Sequence, residues 1–121
     1  MFLYNADING RGTGMDSKRS VKITMGAKRI AITIDDGDRQ RLFIFSPRQV
    51  ALILAVYRGE PHVIDDFKKK YGSGVIWKNF STLRKQGIIK KKWGIYELTE
   101  IGEAVARYLD VFVRETGALA P

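Results

Sequence analysis

Leu83-Arg84-Lys85-Gln86-Gly87-Ile88-Ile89-Lys90-Lys91-Lys92-Trp93-Gly94-Ile95-Tyr96-Glu97-Leu98-Thr99-Glu100-Ile101-Gly102 is the stretch whose reading decides the fold. Gly87 is a helix stop, because glycine enters the left-handed conformation that closes a helix at little cost. Ile88-Ile89 starts a short strand, Lys90–Gly94 is a basic tip, and Tyr96 and Leu98 alternate on a returning strand. Thr99 is an N-cap, so a second helix begins there. The predicted order is helix, two-stranded hairpin, helix.

Upstream, the helix that ends at Gly87 is predicted over about 75–86. At about 100° per residue, Ile76, Phe80 and Leu83 form a narrow apolar stripe. Gly74, Lys78, Ser81 and Lys85 lie opposite, with Trp77, Thr82 and Arg84 on the flanks. One face is therefore core, and the other offers cations and hydroxyls. The turn Gly72-Ser73-Gly74 separates it from a shorter helix over about 63–70, whose inner side is Ile64, Phe67 and Tyr71. Asp65 and Asp66 are read as dipole-favouring charges at the start of that helix. Ser46-Pro47 opens a first helix, with Val50, Ile53, Leu54 and Tyr57 on one face and Gly59 at its end. Downstream, the helix from Thr99 carries Ile101, Val105, Tyr108, Leu109 and Phe112.

Further upstream the period changes to two. Val21, Ile23 and Met25, then Ile30, Ile32 and Ile34, then Arg41–Phe45 read as a three-stranded antiparallel meander turning at Gly26-Ala27-Lys28 and at Asp35-Asp36-Gly37-Asp38. The fold class expected is α+β. Residues 1–19, rich in glycine at Gly10, Gly12 and Gly14, read as a flexible arm with a frayed strand at Phe2–Tyr4. Residues 20–45 form the meander, and 46–116 form a helical domain with its hairpin and C-terminal helix.

The chain has 121 residues and a formal charge of +8, unevenly placed. Residues 46–94 hold eleven Lys/Arg against three Asp/Glu, whereas residues 95–121 hold two against five. Cations concentrated in one stretch are an electrostatic footprint for phosphates. Cysteine is absent, which excludes disulfides, thiolate metal sites and cysteine nucleophiles. No apolar run approaches the roughly 18 residues needed to span a bilayer, and Met1–Tyr4 is too short for a signal peptide. A cytoplasmic location with no membrane partner is expected.

Leu83-x-x-x-Gly87-Ile88-Ile89, followed by Tyr96-x-Leu98-Thr99-x-x-Gly102, resembles a pattern of small winged helix-turn-helix transcription regulators of the MarR, PadR and ArsR-like kinds, abundant in archaea and their viruses. The resemblance covers roughly residues 46–112. It implies three helices, a two-stranded wing and a C-terminal helix, and it implies sequence-specific binding of double-stranded DNA. Helix 75–86 would enter the major groove, with Ser73, Trp77, Lys78, Ser81, Thr82 and Lys85 as contact residues. Lys90, Lys91 and Lys92 would meet the backbone from the wing. The wing is short for this class, and the meander is not a usual part of it.

Alternative functions are a protein-interaction winged helix in a transcription, replication or virion assembly, or RNA or single-stranded DNA binding with Trp77 and Trp93 as stacking platforms. The last helix is apolar on more than one side, through Val105, Tyr108, Leu109, Val111, Phe112 and Val113, so a homodimer is expected. No enzymatic activity, cofactor, metal or small-molecule effector is expected. Asp35, Asp36 and Asp38 read as a turn rather than a calcium loop, since no Glu stands at the required spacing. His62 is the only histidine and has no partner ligand. Gly10-x-Gly12-x-Gly14 opens no helix and so fails as a nucleotide loop.

Overall fold

A computed structural model describes the backbone of residues 2–7 and 20–119, and the side chains of residues 20–119. The fold is α+β and divides into two compact units, Met1–Pro47 and Arg48–Pro121.

The first unit is an antiparallel sheet in the order β1-β2-β3-β4, built from β1 (Phe2–Asp7), β2 (Ser20–Met25), β3 (Ile30–Asp35) and β4 (Gln40–Phe45). The meander expected at 20–45 is present and gains a fourth strand. Phe2–Asp7 pairs with β2 along its whole length, from Phe2 opposite Met25 to Asp7 opposite Ser20. The strand is thus longer than the frayed Phe2–Tyr4. The rest of the expected arm, residues 8–19, lies outside the described residues.

Register explains the alternation. Val21 sits opposite Ile34, and Ile23 opposite Ile32. These four side chains are buried together with Ile30 and Phe45. Each fully buried isoleucine contributes roughly 1.5–3 kcal/mol relative to exposure. Lys22 on the other face is exposed. The Asp35 carboxylate accepts from the Gly37 amide at 2.8 Å, an Asx turn that gives the acidic loop a local use.

The second unit contains α1 (Pro47–Arg58), α2 (Pro61–Tyr71), α3 (Ser73–Lys85), β5 (Ile89–Lys92), β6 (Ile95–Leu98) and α4 (Glu100–Thr116). The helix, hairpin, helix order read from residues 83–102 is observed. Helix α1 is buried on a wider arc than one face, through Val50, Leu52, Ile53, Leu54 and Ala55, while Tyr57 is exposed. Helix α2 starts at Pro61, two residues earlier than expected, because proline fits the first helical turn. Asp65 and Asp66 consequently fall beyond that turn, and their assignment to the helix start does not hold. Ile64, Phe67 and Tyr71 are only half-buried. The turn expected at residues 72–74 shrinks to Gly72, since α3 already begins at Ser73.

Helix α3 ends in a Schellman motif. Gly87 N–H donates to the Arg84 carbonyl and Ile88 N–H to the Leu83 carbonyl, both at 3.0 Å, with Gly87 at φ 78°. Leu83 and Ile88, the two residues the motif brings together, are both fully buried. Thr99 caps α4 by accepting from the Gly102 amide at 3.0 Å. The Tyr96 ring stacks on Phe80 with centroids 4.4 Å apart, joining β6 to the apolar stripe of α3. Val105, Tyr108, Leu109 and Phe112 of α4 are buried in the single chain, and Val111 alone of the helix's large apolar side chains is exposed.

Candidate functional site

Helix α3 places its side chains as its periodicity requires. Ile76, Phe80 and Leu83 are buried, which turns the opposite face outward. Ser73, Lys78, Thr82 and Lys85 are exposed, and Trp77 is 65% exposed. Lys78 and Lys85 stand two turns apart on that face, about 10 Å along the axis at 1.5 Å per residue. Ser81 departs from the expectation and is half-buried. The Thr82 hydroxyl donates to the Lys78 carbonyl at 3.1 Å, so a groove contact from it would compete with that bond. On the inner flank, Asn79 donates to the Val75 carbonyl and accepts from Gln49 of α1, which fixes the rotation of α3 about its axis.

The hairpin follows within three residues of α3. Ile89 is buried at its base, and Lys90, Lys91 and Lys92 are exposed. In the register, Lys90 faces Glu97, Lys91 faces Tyr96 and Lys92 faces Ile95. Side chains alternate across a two-stranded ribbon, so Lys90 and Lys92 emerge on one face and Lys91 on the other. The Lys91 ammonium lies 5.4 Å from the centre of the Tyr96 ring. Trp93 and Gly94 form the two-residue tip, with φ of 53° and 78°. Positive φ at both positions is the signature of a type I′ turn, which favours Asn-Gly. A bulky residue in this region costs on the order of 1–2 kcal/mol. Burial does not offset it, since Trp93 is 89% exposed.

A groove of about 390 Å³ brings α2, α3 and the hairpin together, with Ile64 and Lys68 of α2, Trp77 of α3 and Ile95 of β6 among its lining residues. It sets the outer end of the hairpin beside the N-terminal half of α3. Sequence reasoning passed over Lys68, Lys69 and Lys70, which form the exposed last turn of α2, with Lys68 lining this groove. Their signal was the lysine run itself. Arg48 was also passed over; its guanidinium sits 4.1 Å above the Tyr71 ring.

Among the described residues, no group of His, Asp and Glu could hold a metal ion, and no helix is long and apolar enough to cross a membrane. Asp110 is the one buried charged residue in that set. It accepts from the Arg58 Nε at 2.7 Å and lies 3.2 Å from the Arg114 Nε, an arrangement that ties α1 to α4. No protein-family model, curated protein or solved structure matches the chain.

Proposed function

We propose that this chain binds double-stranded DNA in a sequence-specific manner, as a transcriptional regulator, with α1–α4 and the β5–β6 hairpin acting as a winged helix-turn-helix. One observation carries this reading. The face of α3 opposite its buried stripe presents Lys78 and Lys85, and the next element in the chain presents Lys90, Lys91 and Lys92 from a hairpin. A helix of this kind fits a major groove, where lysine donors meet phosphate oxygens and the acceptors of guanine. The hairpin lysines then follow the backbone as a wing. The lysines at 68–70 add a third cationic element at the end of the helix that precedes α3.

Base reading in this scheme falls mainly to Lys78 and Lys85, with Ser73 and Trp77 at the N-terminal end of the helix. Ser81 and Thr82 take lesser parts, given the burial of the first and the internal bond of the second. Selection of bound duplexes from a random pool tests the reading. Enrichment of a defined motif supports it, and a single asymmetric site means one copy per duplex where a palindrome means two. Replacing both Lys78 and Lys85 by Ala should then abolish specific binding while the circular dichroism spectrum is unchanged. A double variant that shifts the selected duplex as well as the parent does would refute it.

A further inference from the structure

We infer that Trp93 is an apolar wedge, delivered by the hairpin into the minor groove of a DNA duplex, where its indole packs against base and sugar faces and opens a deformable base step. The inference rests on the DNA-binding reading above and adds to it a contact that is not electrostatic.

Three features of the tip point the same way. Trp93 occupies a left-handed turn position that glycine or asparagine fills more easily, with φ 53°. Its side chain is 89% exposed, so the protein's own core gives no reason for an indole there. Lastly, the register puts cations on both faces of the ribbon behind it, Lys90 and Lys92 on one and Lys91 on the other. A ribbon with positive charge on each side and an apolar tip matches a groove with phosphates along both walls and stacked bases at its floor.

Size sets how the contact is made. Beyond buried Ile89 the hairpin runs three residue pairs to its tip, about 10 Å at 3.3 Å per residue, with Tyr96 half-buried on Phe80. The minor groove is only about 6 Å wide, so the two strands cannot both enter it. A single flat side chain at the apex can. Apolar side chains inserted in this way partly unstack a step and bend the duplex, most easily at flexible pyrimidine–purine steps. The short hairpin is thus sufficient because its reach comes from the indole.

The test uses the full chain and the duplex selected from the random pool, with wild type, Trp93→Asn, Trp93→Phe and Lys91→Ala measured across a salt series. Asn suits the left-handed position, so Trp93→Asn should melt at or above the wild-type temperature. It should nonetheless bind the duplex roughly 5- to 150-fold more weakly, the range seen when a base–aromatic stack is removed. The slope of log affinity against log salt should be unchanged by Trp93→Asn and reduced by about 0.9 in Lys91→Ala. Trp93→Phe should retain most of the affinity. Energy transfer between dyes at the duplex ends should report bending with wild type and Trp93→Phe, and not with Trp93→Asn.

Equal duplex binding by wild type and Trp93→Asn would overturn the wedge and leave the DNA-binding reading standing. So would a loss confined to single-stranded DNA, or a Trp93→Asn variant that melts well below wild type. Failure of the wild-type chain to bind any duplex would remove both.

Discussion

A Cβ added to Gly102 would lie 1.9 Å from the carbonyl oxygen of Ile88. Helix α4 thus begins pressed against the backbone at the foot of the hairpin, and no residue but glycine leaves room for that approach. The same carbonyl accepts from the Thr99 amide at 3.0 Å, so it cannot move without breaking the joint between hairpin and helix.

Gly102→Ala should therefore destabilise the fold by about 2–4 kcal/mol, the cost of a forced backbone shift. Gly74→Ala is the matched control. Gly74 lies in α3 with nothing within 4 Å of its added Cβ, and alanine there should stabilise by about 0.5–1 kcal/mol. Urea unfolding of the two variants measures both signs.

Thr99→Ala should cost about 1–2 kcal/mol. Its hydroxyl accepts from the Gly102 amide and donates to the Gly87 carbonyl at 2.5 Å, so alanine breaks a cap and a link to the end of α3 together. Thr99→Ser keeps the hydroxyl and should recover most of the loss. Thermal melts of the pair separate hydroxyl from methyl.

Salt dependence should reveal how many phosphates are neutralised. With six to eight contacts at about −0.9 each, log affinity for duplex should fall with log salt at a slope of roughly −5 to −7. Replacing Lys68, Lys69 and Lys70 together by Ala should reduce the slope by about 2 to 3 if α2 joins the interface. An unchanged slope in that variant would leave α3 and the hairpin as the whole cationic contact. Binding that is indifferent to salt would exclude the phosphate-led mechanism.

Asp110→Asn should destabilise by about 1–3 kcal/mol, since it removes the buried charge within α4 that the Arg58 and Arg114 guanidinium groups share. The part-exposure of Arg58, 32% of its side chain, keeps the loss below that of a fully buried pair. A double-mutant cycle with Arg58→Ala isolates the pairing between the two.

Much of the candidate site was legible in residues 83–102 because its determinants are local. Gly87 meets a demand on its own φ, and Thr99 bonds an amide three residues away. Periodicity alone turned Lys78 and Lys85 outward by burying Ile76, Phe80 and Leu83. The alternation of Val21, Ile23, Ile30, Ile32 and Ile34 likewise announced the strands, for side chains on a pleat can only alternate.

What local pattern could not decide was which surfaces meet. Phe2–Asp7 joins the sheet only because β2 offers it a partner edge more than a dozen residues away. Arg58 and Asp110 are 52 residues apart and come together only when α1 and α4 pack. The tip of the hairpin shows the division most sharply. Composition placed lysines and an indole there, whereas pairing Lys92 with Ile95 put the indole in a left-handed turn, exposed to solvent. Backbone preferences and side-chain period act over a few residues, so the sequence states them directly. Burial and pairing depend on surfaces distant in the chain, and only the folded structure brings those together.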